Sequence, residues 1–400
     1  MNILIFEYNN FGTEDVKECL EKKGYKYTVV ETDEYRNRVS PEFDRLFEEK
    51  FGEGINGMQY DCVFTFNYSP VISNNCKARN VPYIALVYDS PQVLLYSYTI
   101  INPCNYVFIF DKTQYMELKK EGINTVYYVP LAVNTDRMKR VSAAQEQNRS
   151  RFIEVYDGDI AFVGAMYNEK HNLYDKLDGI SDFTRGYLDS VMNAQRKVYG
   201  FNFIENMLTE DMAERLLKSI PDHYEFPASS RKNIKALVAQ YYLSVKVAEQ
   251  ERLRMLRMLS DNFNVDIYTG SDTSGMPDIH NRGFAKSLTE MPLIFNNSKI
   301  NINITAKSIR SGLSLRIFDV LGCGGFLITN YQAELPEFFE IGKDLVAYES
   351  ETHLKELCSY YLEHDDERKE IARHGYETIK KYHTYDIRVL QIIDKAFPAH

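Results

Sequence analysis

The sequence lacks the basic surface charge and the long apolar runs that several classes of protein require. Its 400 residues contain no tryptophan, although 30 tyrosines and 23 phenylalanines supply aromatic surface for a core. The formal net charge is −10, which argues against a binder of nucleic acid or of anionic membranes, since both rely on basic surface. No apolar run approaches the roughly 20 residues that a membrane-spanning helix needs.

The cysteines and histidines do not show the spacings of a metal or redox site. The cysteines form no C-x-x-C pair, and the histidines form no H-x-x-x-H or H-E-x-x-H array, so no metal site is predicted. Most cysteines lie in apolar runs, which favours reduced core residues of a cytoplasmic protein. The opening MNILIFEYNN has no basic segment before its apolar run, so it indicates a strand and not a signal peptide.

Short apolar runs alternate with helix-forming segments along the whole chain. Runs such as NILIFEY, DCVFTFNY and YIALVYDS show no polar alternation, which is typical of parallel strands covered on both faces. The predicted fold is α/β, with two doubly wound Rossmann-like domains facing a cleft. We place the first domain at 1–135, a polar linker at 136–157 and the second domain at 158–383. A helical insertion is predicted at 171–262, and a C-terminal helix at 384–400 that crosses back to the first domain.

The insertion ends in NIKALVAQYYLSVKVAEQERLRMLRMLSDNF, a stretch without glycine or proline. This stretch is compatible with a single long helix that follows a cap at Ser229 and Ser230. The sequence leaves the role of the insertion open between acceptor binding, homo-oligomer formation and no binding role.

The segment KSIRSGLSLRIFDVLGCGG is the strongest candidate for a ligand site, because it combines a helix start with charged side chains. The backbone N–H groups at a helix start, here near Ser311, Gly312 and Leu315, form a site for an anion. Arg310 and Arg316 add charge and bidentate hydrogen bonds suited to phosphate oxygens. Each of these residues alone is more typical of a helix cap or an exposed charge than of a ligand site, but their combination favours a ligand.

Two further residues extend this candidate site. Asp319 is an acceptor-only carboxylate in the same helix, which suits the two hydroxyls of a ribose. The loop FVGAMYNEK contains Gly164, which permits close backbone approach to a diphosphate, and Lys170, which would neutralise it. An ordinary strand-to-helix turn explains this loop equally well. Neither this loop nor EYNNFGTED has the G-x-G-x-x-G spacing, which counts against an oxidoreductase.

The first domain offers weaker candidates after its strands. Asp89 follows the strand YIALVY and is a candidate base toward an attacking hydroxyl, although Asp-Ser-Pro is also common turn chemistry. Asn10, Gly12 and Tyr68 are candidates for the acceptor side, with loop structure as the alternative.

The segments LSLRIFDVLGCGGFLITN, ELPEFFEIGKDLVAYES and YYLEHDDERKEIARHGYETIKKYHTYDIR resemble the C-terminal domain of the spore-maturation CgeB-like glycosyltransferases. These belong to the GT-B superfamily, glycosyl transferases group 1. The runs DIAFVGAMY and VDIYTGS occur in the matching order, and YIALVYDSP resembles the N-terminal half. The resemblance implies a donor site on the second domain, an acceptor site on the first, and no required metal or cofactor.

The resemblance also implies roles for individual residues. Two glutamates separated by seven residues are usual in related enzymes, and here Asp319 falls at the second position and Ser311 at the first. Gly164 and Arg316 match positions near the donor diphosphate, and Lys170 lies where a basic residue is expected.

The base of the nucleotide is expected near the second strand of the second domain and the loop that follows it, a region that contains Tyr268, Gly283 and Phe284.

The predicted function is transfer of a sugar from a nucleoside-diphosphate sugar, with UDP as the favoured nucleotide, to an unknown hydroxyl acceptor. A nucleotide-sugar epimerase or hydrolase on the same fold remains an alternative, as does a binding or scaffold protein that assembles through 171–262. The donor sugar, the acceptor and the stereochemical course stay open at this point.

Overall fold

Each of two units of the chain contains one parallel β-sheet. The structure is a computed structural model, which describes residues 1–8, 12–147, 158–169, 172–220 and 224–398, with only the backbone of 145–147. The first unit comprises Met1–Ala132, Glu225–Asn233 and Thr384–His400. The second comprises Val133–Tyr224 and Ile234–His383.

The sheet of the first unit has six strands in the order β2-β1-β3-β4-β5-β6, all parallel. Its strands are β1 Asn2–Glu7, β2 Lys26–Glu31, β3 Cys62–Phe66, β4 Tyr83–Leu86, β5 Asn105–Ile109 and β6 Val126–Tyr128. Most of their residues are buried, in accordance with the unbroken apolar runs of the sequence.

The helices of this unit pack on its sheet. They are α1 Thr13–Lys22, α2 Pro41–Glu53, α3 Pro70–Arg79 and α4 Lys112–Lys120. Ser40 begins α2 by accepting a 3.1 Å bond from the N–H of Phe43, and proline follows it at the first helical position, where no N–H is needed. The C-terminal helix Tyr385–Ala396 also belongs to this unit, where Tyr385 and Ile392 join the apolar cluster around Ile3.

The sheet of the second unit has six parallel strands in the order β12-β11-β10-β7-β8-β9. Its strands are β7 Ile160–Val163, β8 Val265–Tyr268, β9 His280–Asn281, β10 Ile300–Asn303, β11 Leu327–Asn330 and β12 Val346–Tyr348.

Helices lie between these strands, and several belong to the predicted insertion. The α-helices described in this unit are α5 Thr135–Gln147, α6 Asp182–Gln195, α7 Glu210–Lys218, α8 Ile234–Leu237, α9 Val245–Ser260, α10 Met291–Asn297, α11 Leu315–Gly322, α12 Leu335–Phe338, α13 Glu351–Glu363 and α14 Asp365–Tyr382; the C-terminal helix of the first unit is α15 Tyr385–Ala396. A π-helix, Val238–Ser244, joins α8 to α9.

The structure differs from the prediction of a linker at 136–157. Residues up to Gln147 form α5 within the second unit, and 148–157 lie outside the described residues. The polarity of this stretch concealed its apolar packing, in which Met138 lies against Gly322. A Cβ at Gly322 would lie 3.1 Å from the Met138 sulfur and 2.8 Å from Val133 Cγ2.

The predicted cap at Ser229 and Ser230 is also wrong. The helix begins at Ile234, and the segment Glu225–Asn233 belongs to the first unit. There the N–H of Tyr98 donates to the carbonyl of Ser229 at 2.9 Å, so backbone pairing determines the conformation of the segment.

No helix among the described residues is long and apolar enough to span a membrane. All six cysteines are unpaired.

Candidate functional site

The strand order of the second unit reverses between β7 and β10. From β7 the chain continues outward to β8 and β9, and from β10 it continues in the opposite direction to β11 and β12. Loops that follow two such strands diverge from one another, and ligands of open α/β sheets bind at this point. The loop after β7 contains Gly164, and the loop after β10 leads into α11.

The start of α11 leaves backbone donors without a side-chain cap. Ser314 is the N-cap residue, but its hydroxyl lies 3.4 Å from Asn303 Oδ1 and 3.4 Å from Thr305 Oγ1 and makes no capping bond. The first N–H groups of a helix have no partner within the helix, and they form its positive end. The beginning of α11 therefore has the properties of an anion site.

Buried polar side chains fix the strand ends beneath this helix start. The amide of Asn303 donates to Thr305 Oγ1 and to Thr329 Oγ1, both at 2.9 Å. Asn330 Oδ1 accepts from the N–H of Thr305 at 2.7 Å, while its own amide nitrogen has no hydrogen-bond partner among the described residues. These bonds determine the path of the chain from β10 toward α11.

Arg316 and Asp319 form a pair on the first turns of α11. Arg316 Nη1 lies 3.1 Å from Asp319 Oδ2, and Arg316 Nε donates to the carbonyl of Val163 at 3.1 Å, which ties α11 to the end of β7. Both side chains are 20% exposed, so the carboxylate stays accessible from one side. Burial lowers the pKa of Arg316, Asp319 opposes this effect, and the positive charge of Arg252 lowers the pKa further.

Arg310 and Ser311 are engaged with other side chains of the second unit. Ser311 donates a 2.7 Å hydrogen bond to Glu334 Oε1, and both residues are buried. Arg310 Nη1 lies 4.0 Å from Glu205 Oε2. Gly312 is buried beside them, and Leu315 is the first residue of α11.

The loop after β7 has a distorted backbone. The N–H of Gly164 donates to the carbonyl of Tyr268 at 3.2 Å, and Tyr167 adopts φ +60°, a left-handed conformation that costs a side-chain-bearing residue free energy. Lys170, predicted to neutralise a diphosphate here, lies outside the described residues.

Arg252 of α9 connects the loop after β7 to the loop after β10. It was not among the residues predicted from the sequence. Its Nη1 donates to the carbonyl of Ala165 after β7, and its Nη2 donates at 2.7 Å to the carbonyl of Ile304 after β10. The guanidinium also lies 4.5 Å from the ring centroid of Tyr167 and 5.3 Å from that of Phe162. A buried arginine thus holds both strand ends at the reversal point.

Glu251, beside Arg252, forms a second buried charged contact. Its Oε1 lies 3.3 Å from the Nζ of Lys307, in the loop after β10. Burial raises the pKa of Glu251, and the charge of Lys307 opposes that effect.

A sequence signal for Glu251 and Arg252 does exist. Other buried residues of α9, Val247, Ala248, Met255, Leu256 and Leu259, recur at the spacing of an apolar helix face, and Glu251 and Arg252 occupy positions on that face.

Of the residues predicted to lie near the nucleotide base, some are buried and some are exposed. Tyr268, the last residue of β8, is 5% exposed, so its ring belongs to the core. Gly283 has φ +81°, and Phe284 after it is 68% exposed. The ring of Phe284 is therefore accessible, whereas that of Tyr268 is not.

In the first unit, Asp89 lies three residues after β4 and is held by Asn67. The Asn67 amide donates to Asp89 Oδ2 at 2.8 Å, and Asn67 Oδ1 accepts from the N–H of Asp89 at 3.1 Å. The residue keeps solvent exposure, yet neighbouring atoms partly desolvate its carboxylate and raise its pKa, an effect opposed by Asn67 and by the charge of Arg36. A carboxylate held in this way has the properties of a general base.

The other candidates of the first unit have structural roles. Tyr68 is fully buried and shares a 2.6 Å hydrogen bond with Thr99, so the prediction of an acceptor contact at Tyr68 is wrong. Gly12 is buried, and a Cβ there would lie 2.5 Å from Phe66 Cζ, so close packing accounts for the glycine. Asn10 lies outside the described residues.

The described residues contain no group of three or more histidine, cysteine, aspartate or glutamate side chains arranged to hold a metal ion.

Comparison with known proteins supports a sugar-transferring class for part of the chain. Residues 251–394, little more than a third of the sequence, match the model of a family described as "Glycosyl transferase-like". This segment includes Arg252, the loop after β10 and all of α11. No curated protein matches the sequence.

Solved structures match the whole chain at low identity. Sucrose-phosphate synthase from Thermosynechococcus elongatus has 9% identity and a TM-score of 0.58, with 100% of both chains covered. The α,α-trehalose-phosphate synthase (UDP-forming) from Burkholderia vietnamiensis has 9% identity and a TM-score of 0.53, with 100% of this chain and 97% of that chain covered. The Anabaena protein Alr3699/HepE in complex with UDP and glucose has 9% identity and a TM-score of 0.52, with 99% of both chains covered. These likenesses show that the fold is GT-B, as the sequence predicted.

Proposed function

We propose that this protein transfers a glycosyl group from a nucleoside-diphosphate sugar, preferably a UDP-sugar, to a hydroxyl acceptor. One observation carries the proposal: two arginines and a helix start without a side-chain cap lie together where the strand order of the second sheet reverses. Arg252 and Arg316 bind carbonyls two residues apart, those of Ala165 and Val163, at the end of β7.

The charge distribution at this point suits a diphosphate. Two guanidinium groups lie close enough for the charge of Arg252 to lower the pKa of Arg316, and such proximity of like charges favours an anion as the ligand. The positive end of α11 adds to the same potential. The glycosyl transferase-like match covers this segment, and it supports a sugar nucleotide over other diphosphates.

In the proposed reaction, the bond between the anomeric carbon and the β-phosphate oxygen breaks, and its electron pair leaves with the nucleoside diphosphate. A bond forms between the acceptor oxygen and the anomeric carbon, and the acceptor proton passes to a base, for which we propose Asp89. Arg252, Arg316 and the α11 N–H groups stabilise the charge that develops on the leaving diphosphate, so we propose that no divalent metal is required. Asp319 holds the ribose hydroxyls and thereby positions the donor.

The finer assignments are part of the same proposal. The CgeB-like identity is supported by the α11 segment and the residues that follow it. A cytoplasmic location is supported by the six unpaired cysteines, which a reducing compartment would keep in that state. Related solved structures are of proteins in complex with UDP and glucose or described as UDP-forming, which supports UDP as the nucleotide.

The test is calorimetric titration of UDP and GDP with EDTA present. We expect micromolar binding of UDP, reduced at least about tenfold in Asp319→Ala, which corresponds to the loss of a charged hydrogen bond. Asp366→Ala, which changes an exposed acid of the same unit, is the control and should bind as the unaltered protein does. Absence of binding of both nucleotides at millimolar concentration would refute the proposal.

A further inference from the structure

One segment of the insertion lies against the loop between β10 and α11. This segment, 198–205, follows α6, and it contacts the loop through backbone and side-chain groups of Val198, Tyr199, Asn202 and Glu205. All these residues belong to the second unit, in which the diphosphate site is proposed.

Asn202 is the central contact. Its amide nitrogen donates to the carbonyl of Lys307 at 2.6 Å and to the hydroxyl of Ser244 at 3.0 Å. Its Oδ1 accepts from the N–H of Ile204 at 3.0 Å, which fixes the orientation of the amide. Ser244 is the last residue of the π-helix and is fully buried. Asn202 thus links the π-helix before α9 to the loop after β10.

Lys307 is bound from the same side. Its Nζ lies 3.4 Å from the carbonyl of Val198, 4.3 Å from the ring centroid of Tyr199 and 3.3 Å from Glu251 Oε1. Because a carbonyl, a ring and a carboxylate hold the Lys307 side chain, its loop cannot move independently of these neighbours.

The insertion also contacts the loop after β11. Gly200 has φ +73°, and a Cβ there would lie 2.7 Å from the Tyr331 ring, so the backbone approaches Tyr331 closely. Glu205 lies 4.0 Å from Arg310. The segment therefore packs against the loop after β10 and against the loop after β11, on one side of the reversal point.

We propose that the segment 198–205 holds the loop between β10 and α11 in the conformation that receives the donor diphosphate, with Asn202 as its principal positioning residue. The inference rests on the proposed function and extends it, since it gives the insertion a role in donor binding. Lys307 and Asn202 act through the position of the loop backbone, and neither is assigned a contact with the ligand.

The test combines hydrogen–deuterium exchange of the free protein with titration of UDP and of uridine. In Asn202→Ala we expect the amides of 305–312 to exchange about tenfold faster, because the loop loses a partly buried hydrogen bond. The affinity for UDP should fall about tenfold, whereas that for uridine, which has no diphosphate, should change less than about twofold.

Two matched variants separate the positioning role from general damage. Asn206→Ala changes an exposed asparagine of the same insertion and should leave exchange and affinity unchanged. Ser244→Ala removes one partner of Asn202 but keeps its bond to the Lys307 carbonyl, so its UDP affinity should stay within about threefold of the unaltered value.

The outcomes distinguish this inference from the proposed function. If the unaltered protein binds UDP and Asn202→Ala changes neither exchange nor affinity, the inference alone is overturned. Faster exchange with unchanged UDP affinity also overturns it, because the loop would then be braced without any effect on the diphosphate. If the unaltered protein binds no UDP, the proposed function fails and the positioning role falls with it.

Discussion

Replacement of Arg252 by methionine should destabilise the second unit by about 3–5 kcal/mol. The side chain is 8% exposed, and its guanidinium donates to the carbonyls of Ala165 and Ile304. A hydrogen bond from a charged donor contributes about 1.5–3 kcal/mol, and loss of the donor leaves a buried carbonyl unsatisfied. The contacts with the Tyr167 and Phe162 rings add about 0.5–1 kcal/mol each, part of which the methionine side chain recovers.

The assay is urea denaturation followed by fluorescence of the tyrosines and by circular dichroism, with the change in midpoint converted through the measured m-value. Arg254→Met is the matched control, since Arg254 lies two residues farther along the same helix, is 58% exposed and pairs with Glu351 at 2.6 Å. An exposed ion pair contributes about 1 kcal/mol or less, so this variant should be close to the unaltered protein. A loss below about 1 kcal/mol in Arg252→Met would refute the assignment of Arg252 as the link between the two loops.

Three further predictions concern charge, backbone conformation and pH. Lys307→Met should cost about 3–5 kcal/mol because it leaves Glu251 buried and unpaired, whereas the double variant with Glu251→Met should recover most of this loss in urea denaturation. Gly200→Ala should cost more than Gly179→Ala, because both glycines have positive φ but a Cβ at Gly179 meets no atom within 4 Å; the difference in unfolding free energy measures the clash alone. The transfer rate should rise with pH through the raised pKa of Asp89, since the base acts deprotonated, and Asp89→Asn should lose about 10²–10⁴-fold of the rate with that limb of the profile abolished.

The sheets could be predicted because their signal is local. A buried parallel strand reads as a continuous apolar run, and strands such as Ile160–Val163 and Leu327–Asn330 lie where those runs occur. The helix Thr135–Gln147, which lies largely within the predicted linker, was missed because a mostly polar helix shows little apolar periodicity even when it packs, here through Met138 against Gly322 and through a 3.1 Å bond from Arg137 Nη1 to the carbonyl of Leu288. A pairing between distant segments, as of Glu225–Asn233 with the first unit, leaves no periodicity in either segment.

The position of the candidate segment in the sheet could be predicted from the sequence, whereas the partners of its side chains could not. The loop after β10 and the start of α11 do lie at the reversal point of the sheet, because glycine, serine and arginine before an apolar helix are a local signal. Arg252 contacts Ile304, 52 positions away, and Asn202 contacts Lys307, 105 positions away. No local pattern in the sequence specifies those partners.

The structure uses several of the predicted ligand-binding side chains internally, which changes how recognition is expected to work. Ser311 donates to Glu334, and Arg316 binds both the Val163 carbonyl and Asp319. A guanidinium held by such bonds acts on a diphosphate mainly through its charge, and a charge attracts any compact anion with little regard to the group attached to it. Selection among sugars and bases must then come from groups with directional hydrogen bonds and shape. In the second unit, we predict that shape is supplied by the exposed ring of Phe284 and by the loop conformation that the segment 198–205 holds.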